Sequence, residues 1–178
     1  MPMIVLASNI NVKEGNMTIL GIDPGWHITG YGILRKEERA VILVDYGYLS
    51  MSTSKTLVER SGIFHDFFND KIQTYCVTDL ALETPFLGKN AQNFLKLGYL
   101  RGLLYLLANK RQLVLHEFAP REVKQTVTGF GGAGKDQVCR VVMQLFAHAI
   151  KAQEYDVTDA LAVSLCGLWQ TKYLRMPK

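Results

Sequence analysis

At 178 residues, with 48% hydrophobic and 20% charged residues, the chain has the length and apolar content of one folded, soluble domain. Its longest uncharged apolar stretches, Gly102–Asn109 and Ala160–Trp169, fall well short of the roughly 20 residues a membrane span needs, which excludes a transmembrane protein. The net charge of +4 is unevenly spread: Pro85 to Arg140 carries nine basic residues against three acidic ones, and the remainder is slightly acidic.

No basic segment precedes the short apolar run in Met1–Ala7, so no secretory signal is read there. Cys76, Cys139 and Cys166 are odd in number and far apart, which suits small core residues of a reducing, cytoplasmic compartment. Residues 1–16 read as a ragged polar leader, disordered or a mis-called start. Met17-Thr18-Ile19-Leu20 opens a single domain over 17–178.

The apolar run Thr18–Ile22 predicts a buried strand that ends in the turn signal Asp23-Pro24-Gly25. Two further strands are predicted at Thr29–Arg35 and Val41–Leu49, joined through the charged Lys36–Arg39. Leu57, Ser61, Phe64, Phe68, Ile72 and Tyr75 recur at steps of three and four, the signature of one helix face. A fourth strand, Val77–Glu83, stops at Thr84-Pro85. A long helix over Asn90–Lys110 and a fifth strand at Leu113–Phe118 follow. Pro120 opens a short helix, and beyond the glycine-rich Gly129–Gly134 come helices at Lys135–Ile150 and Asp156–Tyr173. This order predicts an α/β domain: a three-strand antiparallel meander plus two parallel strands in one mixed five-stranded sheet, flanked by helices. Asp23 and Glu83 then stand together at the carboxyl ends of adjacent strands, where open α/β sheets place their ligands.

Asp-Pro-Gly alone is also an ordinary turn, and Asp156 with Asp159 at a helix start is also a capping pattern. Together the four acids are harder to treat as structural, because each pair about 4 Å apart repels by roughly 4 kcal/mol at an effective dielectric of 20. Protons or a cation must relieve that repulsion. An all-oxygen set selects a hard ion, Mg²⁺ or Mn²⁺, and two such ions would flank a scissile phosphate. Acids set within a basic block point to a polyanion partner with chemistry performed on it. Gly129–Lys135 imitates a phosphate-binding loop, but Asp136 stands where that loop needs Ser or Thr, so nucleotide binding there is set aside. The four histidines, His27, His65, His116 and His148, show no metal spacing.

Ile19-Leu20-Gly21-Ile22-Asp23-Pro24-Gly25 with Thr29-Gly30-Tyr31-Gly32 resembles the opening of the RuvC family of Holliday junction resolvases. The resemblance continues through Leu82-Glu83-Thr84-Pro85-Phe86, Lys89-Asn90, Leu95-Lys96-Leu97-Gly98 and Arg101-Gly102. It runs on through Arg121-Glu122-Val123-Lys124-Gln125, the glycine loop to Lys135, and Asp156 to Ala162, in order over most of residues 18–170. It implies an RNase H-like fold and a homodimer that nicks two like-polarity strands of a four-way DNA junction symmetrically in recombination and repair. It further implies Asp23, Glu83, Asp156 and Asp159 as catalytic metal-binding acids, with Mg²⁺ or Mn²⁺, two ions per site. By the same resemblance Lys124 and Lys135 contact DNA, with Lys89 and Arg121 beside them, and Phe86 works at the junction centre. A branch-migration motor is the implied partner. Trp26 departs from the small polar residue usual after Asp-Pro-Gly, and Thr84-Pro85 departs from the usual pair before the aromatic.

Three other readings stand beside this one. An RNase H-like nuclease acting on hybrids, or a related resolvase, keeps the fold and changes the substrate. A sugar-kinase- or actin-like ATPase opens on a similar turn but needs two such domains. A junction-binding protein without catalysis would lack one of the acids.

Overall fold

The computed structural model describes residues 3–6, 16–38, 40–85, 91–146, 150 and 155–174. Eleven elements follow in chain order: β1 (Met3–Leu6), β2 (Thr18–Asp23), β3 (Ile28–Lys36), β4 (Ala40–Ser50), α1 (Leu57–Thr74), β5 (Asp79–Glu83), α2 (Ala91–Arg111), β6 (Val114–Phe118), α3 (Pro120–Thr128), α4 (Lys135–Leu145) and α5 (Tyr155–Leu174). The strands form one sheet in the order β1-β4-β3-β2-β5-β6. β2, β3 and β4 are the antiparallel meander, and β5 and β6 add in parallel beside β2, as the five expected strands require.

The sixth strand is a departure. Met3–Leu6, assigned to a disordered leader by sequence, pair in parallel with Ala40–Leu43. β4 is an eleven-residue strand whose outer edge offers unpaired backbone groups, and an apolar tetrad is a suitable strand to cover it. Residues 7–15 lie outside the described residues.

Alternation along the strands sends side chains to two helix layers. Leu20, Ile22, Ile33, Leu80 and Leu82 pack with Phe64, Phe68 and Ile72 of α1 and Leu100, Leu104 and Leu107 of α2. Ile19, Leu34 and Ala81 face the opposite layer, with Val123 and Val127 of α3, Val138 and Val142 of α4, and the apolar run of α5. α5 lies directly on β2 and β3. That close approach depends on small residues beneath it: a methyl group at Gly30 would run into the Asp156 carbonyl, and one at Gly21 into Ser164.

α1 differs from its predicted face in one respect. Leu57 is exposed, whereas Arg60 is buried. Thr56 and Glu59 form a capping box, Glu59 N–H donating to Thr56 Oγ1 and Thr56 N–H to Glu59 Oε2. The buried Arg60 guanidinium donates to the carbonyls of Lys55, Trp26 and Ser52 at 3.2, 2.9 and 2.6 Å. One arginine thus ties the β2–β3 turn to the start of α1. Two boundaries also move: β5 begins at Asp79 rather than Val77, and α4 ends at Leu145, capped by Phe146, rather than at Ile150.

Candidate active site

Asp23 closes β2 and Glu83 closes β5. These strands are parallel neighbours with Ile22 opposite Leu82, so the next residues, the two acids, emerge side by side at the sheet's carboxyl edge. Asp156 and Asp159 lie at the start of α5, whose first turn crosses Gly30, the β3 residue paired with Asp23. The helix begins at Tyr155, so Asp156 is already inside it and is not the residue that caps it.

The electrostatics show how closely the four act on one another. Asp23 is pushed up to about 7, first by burial and then by the charges of Asp159, Asp156 and Glu83, with Lys135 opposing. Burial, then Asp159, raises Glu83, against Lys124, Arg101 and Lys135. Asp159 is also raised, by burial first, although a hydrogen bond from Lys135 works the other way. Lys135 Nζ stands 2.9 Å from Asp159 Oδ2 and 5.1 Å from the centre of the Tyr155 ring.

Hollows open on both sides of Glu83. One is lined by Lys124, Lys135, Asp159, Pro120 and Val123 among others, and so places two ammonium groups beside two carboxylates. The other lies between Asp23, Pro24, Pro85, Phe94, Leu97 and Arg101. Lys124 sits on α3 and Lys135 opens α4. Arg121 is exposed on α3, with Gly131 packed against its side chain. Phe86 and Lys89 lie outside the described residues.

Whether the acids suit a cation is a question of donor chemistry. Four carboxylates and no nitrogen or sulfur donor match a hard divalent ion, and burial together with the neighbouring carboxylates disfavours the ionised form of Asp23 while no cation is near. Among the described residues, no three Asp, Glu, His or Cys side chains are already gathered as a ligand set. Lys135 pairs with Asp159 in this arrangement, and the donors fit the ion in kind.

Arg101, within the Arg101-Gly102 motif, is a site residue to which sequence gives no role. It is buried on α2 and donates to the Glu83 carbonyl at 2.6 Å, to Tyr105 Oη at 3.1 Å and to the Glu117 carboxylate of β6. A lone arginine inside the apolar run Leu100–Leu107 was the available signal. Trp26, which departed from the expected pattern, packs against the α1–α2 side of the core. Its ring is flanked by the Arg60 guanidinium at 4.8 Å and Lys96 Nζ at 5.7 Å.

A mixed sheet with acids at two adjacent strand ends, crossed by a helix that brings two more, is the architecture of the RNase H-like nucleases. Residues 19–167 match the family model described as crossover junction endodeoxyribonuclease RuvC. A crossover junction endodeoxyribonuclease RuvC from Pelodictyon phaeoclathratiforme is 42% identical over 152 residues, 85% of this chain and 80% of that protein. One from Legionella pneumophila is 35% identical, covering 83% of this chain and 84% of its own. The structure of Thermus thermophilus RuvC in complex with Holliday junction substrate superposes with a TM-score of 0.80 at 23% identity, covering 88% of this chain and 96% of that one. The yeast mitochondrial Holliday junction resolvase Ydc2 superposes with a TM-score of 0.64 at 15% identity, over 89% and 83% of the two chains. The chain belongs to the crossover junction endodeoxyribonuclease RuvC family.

Proposed function

We propose that this protein resolves four-way DNA junctions by nicking two strands of like polarity at symmetric positions. The observation that carries the reading is Asp23 itself. Burial and the charges of Asp159, Asp156 and Glu83 raise it to about 7, and lysines line the adjoining hollow. Such a site repels a phosphodiester unless a cation is bound, and attracts it once one is. Family membership supports the substrate, as does the Thermus thermophilus relative, whose structure is of a complex with a Holliday junction substrate.

Asp23, Glu83, Asp156 and Asp159 would hold Mg²⁺, or Mn²⁺ in its place, as two ions per site. Bound there, the ions supply Lewis-acid activation of the attacking water and stabilisation of the leaving oxygen. The chain's own side chains do the rest. Lys124 and Lys135 would neutralise the phosphates flanking the cut. Arg121 and Lys89 extend the basic track, and Phe86 opens the junction centre. Arg101 holds the Glu83 backbone so that its carboxylate stays beside Asp23.

Two symmetric cuts need two copies of the site, and a C₂ dimer is the economical way to present them. α2 offers the surface: Leu95, Tyr99 and Leu106 are exposed, and Gly98 and Gly102 have open space where a side chain would stand. Helices approach closely over such small residues. Leu95→Asp or Leu106→Asp then yields a monomer in sedimentation and single, unpaired nicks. The enzyme would act in the cytoplasm beside a branch-migration motor. Among the described residues, no helix is long and apolar enough to cross a membrane.

The deciding assay uses a labelled synthetic junction, a matched duplex and an RNA–DNA hybrid, with Mg²⁺ or EDTA. Wild type nicks only the junction, in symmetric pairs and only with metal, whereas Asp23→Asn binds the junction and leaves it intact. Cleavage by Asp23→Asn would remove the acid cluster as the reactive site, and cleavage of the hybrid would move the substrate.

A further inference from the structure

Phe130 is 64% exposed, the most open aromatic side chain among the described large hydrophobic residues that stand in solvent. It belongs to the loop that joins α3, which carries Lys124, to α4, which begins at Lys135. Both lysines line the hollow beside Glu83 and Asp159, so the loop borders the proposed phosphate path.

The loop is braced, and the bracing turns the ring outward. Gly129 takes a left-handed conformation with φ of 78°, and its N–H donates to the Gln125 carbonyl. The Gln125 side chain then grips the loop twice, Nε2 donating to Gly129 O at 2.6 Å and Oε1 accepting from Gly131 N–H at 2.9 Å. Phe130 N–H donates to Thr128 Oγ1, and Phe130 O accepts from Ala133 N–H. Ala133 is buried in the core beneath. The ring lies over Gly132, where an added methyl carbon would come within 2.6 Å of it. Burying Phe130 would recover apolar stabilisation that its exposed position forgoes. An exposed aromatic on a braced loop that joins the Lys124 helix to the Lys135 helix, with the Arg121 side chain against the loop at Gly131, instead suits base stacking along a phosphate track.

We propose that Phe130 is a junction-selective DNA contact that stacks on one unstacked base near the crossover, beside the cut strand. This rests on the junction-nuclease reading given above. The charges argue for nucleic acid as the occupant, and the geometry argues for a base that is not already stacked: a continuous duplex presents phosphates and groove edges, whereas the crossover exposes base faces.

The test titrates full-length wild type, Phe130→Ala, Phe130→Leu and Phe130→Trp in EDTA against a four-way junction and a matched duplex. It then repeats the titration with junctions carrying a single abasic nucleotide, scanned around the crossover. Phe130→Ala and Phe130→Leu should lose about tenfold in junction affinity, within the range of base–aromatic stacking, while Phe130→Trp retains it. Duplex affinity and the slope of log Kd against log salt should not change, because no phosphate contact is removed. One abasic position should weaken wild type by a similar factor and leave Phe130→Ala unaffected, which isolates the pair. Leu at this position keeps the apolar bulk, so a loss in both Leu and Ala at unchanged melting temperature cannot come from an emptied loop. Unchanged junction affinity in Phe130→Ala overturns the assignment, and so does an equal loss on duplex or the absence of any coupled base. Wild type that binds junction and duplex alike would overturn the junction reading itself, before any variant is measured.

Discussion

Lys135 Nζ lies 2.9 Å from Asp159 Oδ2, and its charge also reaches Asp23 and Asp156. Burial disfavours that ammonium, but the bond to Asp159 and the surrounding carboxylates outweigh it and hold its pKa above the usual lysine value. The lysine therefore serves as counter-charge for the cluster, the role that the proposed site gives to a cation.

Lys135→Met should accordingly lower the melting temperature in EDTA at neutral pH and lose little once Mn²⁺ is added. The side chain is 55% exposed, so the effect is small, at most about 1 kcal/mol. Junction affinity should also fall, with the log–log salt slope reduced by about one for the missing phosphate contact. A melting deficit that Mn²⁺ leaves unchanged would show that lysine and cation do not share a role.

Asp23 gives the metal-free protein a predictable pH dependence. Its carboxyl is raised from 3.8 to about 7 on folding, so between those values the folded state holds a proton that the unfolded chain has released. Stability is then fully present below the unfolded pKa and declines as pH rises through the folded one. The decline has an upper limit on the order of 4 kcal/mol at 1.36 kcal/mol per pH unit. In EDTA, Asp23→Asn should match wild type near pH 4 and exceed it at pH 8. Divalent cation should stabilise wild type at pH 8 and leave Asp23→Asn unmoved. Parallel melting curves across this range would mean that Asp23 is not strained by its neighbours.

Much of this site could be read from sequence because its elements announce themselves locally. An apolar strand ending in Asp23-Pro24-Gly25, another ending in Glu83, and an acid pair opening an apolar helix each need only a few residues to recognise. What escaped depends on neighbours distant in the chain. Met3–Leu6 became a strand because β4 leaves an edge open, and no feature of the four residues themselves demands it. Periodicity placed Leu57 inside and ignored Arg60, because a buried arginine is acceptable only where carbonyls such as those of Trp26, Ser52 and Lys55, from two separate segments, meet its guanidinium. Arg101 escaped for the same reason: its partners lie on β5 and β6.

The spacing between helix and sheet that gathers the acids rests on Gly30. A methyl there would meet the Asp156 carbonyl, so Gly30→Ala must lift the first turn of α5 from β3. Overpacking of this kind costs about 1–3 kcal/mol. It should reduce cleavage by far more than the loss of folded protein explains, since Asp156 and Asp159 move away from Asp23 and Glu83. Junction binding through Lys124 should persist. Cleavage that falls only in proportion to folded protein would show that the acids tolerate this displacement.

Arg101 offers the same separation of binding from chemistry from the other side of the sheet. Its guanidinium joins α2 to the Glu83 carbonyl on β5 and the Glu117 carboxylate on β6, and its charge favours the ionised form of Glu83. Arg101→Met keeps length and apolar packing while removing the donors, leaving a strand-end carbonyl unsatisfied and Glu117 without its partner. The expected stability loss is about 1–3 kcal/mol, less than for a fully buried pair because Glu117 is partly exposed. The single-turnover rate should fall at least tenfold, on the order of what a misplaced reactive group costs, with junction Kd nearly unchanged. Mn²⁺ titration without DNA should show weaker binding. Arg101→Lys restores the positive charge beside Glu83 but not the forked contacts, so it should recover metal affinity in part and rate less fully. If Arg101→Met instead retains both Mn²⁺ affinity and the single-turnover rate of its folded fraction, the arginine only fastens α2 to the sheet. Glu83 then keeps its place through its strand pairing alone.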